Sequence, residues 1–176
     1  MTSIVRADNI STVAGTGTVT LEAGNTLDTS AGLVTPAGHV IQTLSDINGS
    51  EQQVSSTDWV DTNLSITITP KTATSSFLIQ WCFENIYLTG SSSGVSFRVT
   101  KDGTPLFTPG VGYSIWSNDT GAHYNYSNLY VDYSSHTISA ITYTIQVRLY
   151  DVSSPRADLN DAGYFQDTLV IQEIAG

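Results

Sequence analysis

"NLSITITPKTATSSFLIQW", Asn63–Trp81, decides the fold. In its first half Leu64, Ile66 and Ile68 alternate with Ser65, Thr67 and Thr69. In its second half Phe77, Ile79 and Trp81 recur at every other position. A period of two sends successive side chains to opposite sides, so each half reads as a strand with one buried face. Pro70 lies between them, where its missing N–H does least harm to a ladder. The same alternation returns in "VSFRVT" (Val95–Thr100) and "YTIQVRL" (Tyr143–Leu149). "KDGT" at Lys101–Thr104 places Asp-Gly between apolar runs, a strong hairpin signal, and "INGS" at Ile47–Ser50 offers Asn-Gly. No window holds apolar residues at helical spacing. The expectation is an all-β chain of roughly nine strands, a two-sheet sandwich or jelly roll.

Composition agrees. Hydrophobic residues make up 40% of the 176 residues and charged residues only 12%. Ser and Thr fill the difference, as expected of a Thr-rich β protein. The formal net charge is -10, with 6 Lys and Arg against 16 Asp and Glu. The basic residues are scattered singly, so no patch is available to bind a phosphate backbone or an anionic membrane. Neither nucleic acid nor membrane insertion is expected. Cys82 is the sole cysteine, which rules out an intrachain disulfide and suits a chain made in a reducing cytoplasm. Its place in the apolar run "FLIQWCFENIYL" suggests a buried, inert thiol. "MTSIVRADNIS" has no apolar signal core, so no secretory signal peptide is expected.

Residues 1–35 differ from the rest. "GTGTVTLEAGNTLDTSAG", Gly15–Gly32, is too poor in apolar mass to order itself. Yet β-branched residues recur through this region. The expectation is an extended anchor or stem ahead of a sandwich domain at 36–176. Its apolar clusters, Ile4 and Val5, Ile10 and Val13, Val19 and Leu21, are the candidate attachment residues. The closing strand "TLVIQEI" is apolar on both sides: Leu169 and Ile171 on one, Val170 and Ile174 on the other. A strand with two apolar faces needs cover twice. The sandwich core supplies one cover, and a neighbouring subunit is expected over Val170 and Ile174.

Candidate chemistry is thin. "GSSSG", Gly90–Gly94, fits the nucleophile-elbow pattern, but a strand follows it where that motif needs a helix, so it reads as a hairpin loop. "DLNDAG", Asp158–Gly163, has an EF-hand's first, third and sixth residues, but Leu169 stands where the closing Glu belongs. A solvated acidic loop is the default, with a looser oxygen site of Asp158, Asp161 and Asp167 as the alternative. His39, His123 and His136 lack metal spacing. No catalytic residue, metal or cofactor is expected. "GYSIWSNDTGAHYNYSNLY", Gly112–Tyr130, gathers Tyr113, Trp116, His123, Tyr124 and Tyr126. Aromatic planes beside short polar groups suit sugar or protein surfaces, so these five are candidates for receptor contact. Alternate aromatics such as Tyr124 and Tyr126 can equally fill a core or a subunit interface.

Several segments resemble the small β-rich virion structural or tail-fibre proteins of tailed phages, particularly marine and cyanobacterial ones. "SIVRADNISTVAGTG" is similar to their opening, with Ala7 interrupting the usual form. "PAGHVIQ" resembles their entry into the globular part. "LSITITPKTATSSFLIQW" resembles a central segment, with Phe77 where Lys is common, and "LVIQEIAG" resembles their last strand. The resemblance covers roughly half the chain. It implies a homotrimeric jelly-roll head behind an N-terminal anchor, located in the virion. The partners it implies are copies of itself, other tail, portal-proximal or capsid proteins, and a host-surface glycan or protein. A short fibre or tail appendage is the leading role. A capsid decoration protein is the alternative, and an enzyme acting on surface glycans is the third and weakest.

Overall fold

The computed structural model describes residues 37–90, 92–107, 114–119, 121–134, 136–150 and 156–176. They belong to one unit, Thr35–Gly176. The proposed attachment residues Ile4, Val5, Ile10, Val13, Val19 and Leu21 lie outside the described residues, as does Tyr113.

The described residues form eleven strands and a single 3₁₀ turn. They are β1 Val40–Asn48, β2 Gln52–Val54, β3 Val60–Ile68, β4 Ser76–Leu88, β5 Ser93–Lys101 and β6 Thr104–Pro105, followed by β7 Ile115–Ser117, β8 Ala122–Asp132, β9 Ile141–Leu149, β10 Ala157–Leu159 and β11 Asp167–Ile174. The 3₁₀ turn, Asp161–Gly163, separates β10 from β11.

Two antiparallel sheets result, one of six strands and one of five. β4 is the hub of the larger. Its one edge carries β8, from Phe77 opposite Asp132 to Leu88 opposite Ala122. Its other edge is shared. β11 pairs with Ser76–Cys82 and β10 with Ile86–Leu88. β1 pairs outside β11, and β2 outside β10. In the smaller sheet β9 lies between β3 and β5, and the short β6 and β7 share the far edge of β5.

The alternation read from the sequence is what fills the core. Leu64, Ile66 and Ile68 of β3 are buried, as are Phe77, Ile79 and Trp81 of β4 and Tyr143, Ile145, Val147 and Leu149 of β9. At the centre Phe97 of β5 stacks on Phe83 of β4, with ring centroids 4.7 Å apart, and on Tyr126 of β8 at 5.0 Å. One end of the sandwich holds a polar network. Asp132 accepts hydrogen bonds from the Tyr143 hydroxyl and the Ser134 amide, both 2.8 Å, and pairs with Lys101 at 3.2 Å. At the same end, across Phe77 from Asp132, the buried Glu173 accepts from the Lys71 amide at 2.8 Å and the Ser75 hydroxyl at 2.6 Å, fastening the loop after β3. These partners are why Asp132 and Glu173 can be buried in the unit.

Three turn readings meet the structure differently. Asp102 and Gly103, with φ of 48° and 78°, join β5 to β6 in a two-residue hairpin, as expected. Asn48-Gly49 does not make a hairpin. β1 and β2 follow one another along the same pair of partner strands, and Asn48 Oδ1 merely caps the Ser50 amide at 3.2 Å. The hairpin-loop reading of "GSSSG" is corrected, since β4 before it and β5, which begins within it, belong to different sheets. The strand that follows it is the one expected. The two-sidedness of β5 is new. Ser96 and Thr100 point away from the core, yet both are buried. The chain covers this outer face itself: Trp59 lies under the guanidinium groups of Arg98 and Arg148, 4.3 and 4.7 Å from its ring centre.

Candidate functional site

Among the described residues, no comparable cover lies over the outer face of the six-stranded sheet. Residues paired across an antiparallel ladder point to the same side. Four rows of outward side chains follow from the register. The first runs from Val40 to Ile174 and Ser76. Next comes Thr43–Gln172–Leu78–Val131, then Ser45–Val170–Gln80–Leu129, then Ile47–Thr168–Cys82–Ser127. Val170 and Ile174 therefore share one outward face, half-buried within their own chain. Leu78 and Val131 beside them are also half-buried, while Leu129 is 52% exposed and Ile47 56%. No Asp, Glu, Lys, Arg or His stands in these rows, although the chain carries a net charge of -10.

Beyond the Cys82 row the same face changes character. The ladder between β4 and β8 slips between Phe83 and Ile86, where β4 holds one residue more than its partner. That is a β-bulge at Glu84 and Asn85. On the opposite edge of β4 the partner strand leaves the sheet here, between Leu159 of β10 and Thr168 of β11. The Glu84 amide, without a strand partner, donates to Asp167 Oδ1 at 3.2 Å, and Glu84 Oε2 accepts the Gln166 amide at 3.2 Å. Bulge and strand break together open a groove of about 650 Å³, lined by Cys82, Glu84, Asn85, His123, Asn125, Asp161 and Phe165.

Within it, His123 Nδ1 lies 2.8 Å from Asn85 Oδ1, and its ring tilts over Tyr87 with centroids 4.7 Å apart. Asn85 Nδ2 donates to the Asp161 carbonyl at 3.0 Å. Asp167 is buried, and loss of water pushes its carboxyl up to about 7, although the Glu84 amide acts against this. Cys82 is half-buried and faces outward, a correction to the expectation of a fully buried thiol. It falls on the outward phase of β4 because Trp81 and Phe83 take the inward one. Burial raises its pKa, and the carboxylates of Glu84 and Asp167 raise it further, so the thiol stays protonated and weakly nucleophilic.

The aromatic stretch does not form one surface. Trp116 lies on β7 in the five-stranded sheet, packed edge-on against Tyr150 with centroids 5.8 Å apart. Tyr124 and Tyr126 lie on β8 in the other sheet and pack against the core. His123, one residue before Tyr124, points outward into the groove. Strand alternation splits neighbours this way. Of the acidic candidates, Asp167 stands apart on Glu84, whereas Asp158 and Asp161 come together with Glu51. Asp158 and Asn160 are fully buried, which corrects the reading of "DLNDAG" as a solvated loop. Glu51 was missed because its nearness depends on β2 pairing with β10, which no local pattern encodes.

Among known proteins, no family model and no curated sequence matches this chain.

Proposed function

We propose that this protein is a non-enzymatic structural component of a phage virion, assembling as a homotrimer through the outer face of its six-stranded sheet. The strand order supports the architecture. If β1 with β2, β6 with β7, and β10 with β11 each count as one interrupted strand, the two sheets run first-eighth-third-sixth and second-seventh-fourth-fifth. That is the winding of a jelly roll, an architecture recurrent in viral shells and lectins. Fold alone names no function, so the role rests on the surface and on the sequence resemblance.

The uncharged outward rows carry this reading. Copies of a chain with net charge -10 repel one another wherever they approach through acidic surfaces. The rows from Val40 to Cys82 present Val, Leu and Ile among Ser, Thr and Gln, so they are where copies can meet without burying charge. Edge strand β1, with Val40 and Ile47 exposed, extends the face toward a neighbour. Closed symmetry then covers every copy's face at once. In this arrangement residues 1–35 anchor the head, as a short fibre or tail appendage.

Sedimentation of the full chain at micromolar concentration tests it. The expected species is a trimer. Val170→Asp or Ile174→Asp places an unpaired carboxylate in the contact and should drive dissociation, with the β-type circular dichroism of the parent retained. A monomeric parent sinks the proposal, and so does a trimer that both variants leave intact.

A further inference from the structure

We propose that Glu51, Asp158 and Asp161 form a binding site for a divalent cation of the calcium type, which clasps the two interrupted strands of the larger sheet. The three residues come from two pieces of chain distant in sequence. Glu51 stands just before β2, Asp158 lies on β10, and Asp161 opens the 3₁₀ turn. One carboxylate oxygen of each lies within 4.8 Å of one from both others. Three oxygens so placed can all touch one ion at calcium's ligand distances of about 2.3–2.6 Å, which allow opposite ligands to stand roughly 5 Å apart. Magnesium, at about 2.0–2.1 Å, demands a tighter and more regular set.

Three acids near one another are common on an acidic protein. What marks this group is Asp158. It pairs with Gln53 of β2 and Tyr87 of β4, on the outward side, yet it is fully buried beneath its surroundings. Its Oδ2 takes both contacts of Arg156, from Nε at 3.0 Å and from a terminal nitrogen at 2.7 Å. Its Oδ1 is buried and has no hydrogen-bond partner among the described residues. An orphaned carboxylate oxygen inside an acidic cluster is destabilising as it stands, and a bound cation would satisfy it. The charge also balances: three carboxylates and one guanidinium leave a local charge of about −2, which a divalent ion neutralises.

Access and shape fit. Asp161 lines the groove and Glu51 is exposed, so an ion can enter from solvent and keep water ligands. The backbone around the site is already set by other contacts. Asn160, at φ 52°, receives the Phe165 amide at 3.1 Å and donates back to the Phe165 carbonyl at 2.9 Å. The ion would therefore meet a preformed turn. A site with one buried and two accessible carboxylates belongs to the weaker class, with dissociation constants on the order of 10⁻⁴–10⁻³ M.

Calorimetric titration of calcium chloride into the full chain, freed of metal with EDTA, is the test, alongside melting with and without calcium. Saturable binding and a higher melting temperature in calcium are expected. Glu51→Gln and Asp161→Asn should each weaken calcium at least about tenfold, with melting in EDTA no lower than the parent's. Asp158→Asn also removes the partner of Arg156 and can misfold, so the two accessible positions decide. The site is refuted by absence of binding at millimolar calcium, or by parent-like binding in both variants. Magnesium binding as tight as calcium would overturn the calcium assignment.

Discussion

Two halves of one sheet face behave as opposites. Below Cys82 the ladders β1–β11–β4–β8 run in register apart from one slip at the β1 end, between Val40 and Gln42, and their outward rows are uncharged, with Val, Leu and Ile set among Ser, Thr and Gln. Above it β4 bulges, two strands are interrupted, and the face carries Glu84, His123, Asp158 and Asp161 around a groove. Regular pairing makes a flat surface with all backbone groups satisfied, which another molecule can cover without unsatisfied polar atoms. Broken pairing frees amides and carbonyls that need side-chain partners, so polar residues gather there. The difference is one of backbone regularity first and of composition second.

The largest blow to this contrast is struck from beneath. Phe97 supports the inner row Phe83–Tyr126, which lies under the boundary between the halves. Phe97→Ala should destabilise the unit by about 3–5 kcal/mol in urea unfolding and loosen both halves together. Loss confined to one half would show that they fold separately.

A smaller effect sharpens the contrast. Asp167 titrates at about 7 in the folded unit against 3.8 for the free side chain. The native state thus holds the proton more tightly, and this residue's contribution weakens as pH rises from about 4 through 7. Asp167→Asn keeps an acceptor for the Glu84 amide. It should melt higher than the parent at pH 8, with the gap closing toward pH 4. A gap that does not change with pH would mean the carboxyl is ionised throughout.

The smallest expected effect is chemical. Cys82 sits on the dividing row with a raised pKa. Its alkylation by iodoacetamide at pH 8 should be slower than that of an unstructured cysteine, and slower again in assembled protein. Equal rates in assembled and dissociated samples would place the contact elsewhere.

How far the sequence could be read follows from the range of each signal. Alternation is local, so Phe77, Ile79 and Trp81 inward and Val170 and Ile174 outward were legible. So was the Asp102-Gly103 turn, because its backbone demand sits in two adjacent residues. Asn48-Gly49 has the same chemistry but lies where β1 gives way to β2, whose partners come from the far end of the chain. The meeting of Glu51 with Asp158 depends on that same pairing. Tyr124 and Tyr126 could not be told from surface aromatics without knowing which phase of β8 faces Phe97. Long-range register, rather than residue type, is what one chain read by itself withholds.

The strand order has a consequence for how the chain reaches this state. β9 separates β3 from β5, and β11 separates β1 from β4, so each sheet is completed by a strand made late. Among the described residues the hairpin of β5 and β6 is the one tight local pairing, and most other ladders close large loops before any contact rewards them. Folding should therefore be slow, on the scale of milliseconds to seconds for domains dominated by non-local pairing. During synthesis β1 and one edge of β4 must wait for their partner until residue 174 has left the ribosome. In that interval the strands most able to join the wrong neighbour are the ones that later form the centre of the fold, which makes chaperone occupancy during translation a property written into the topology.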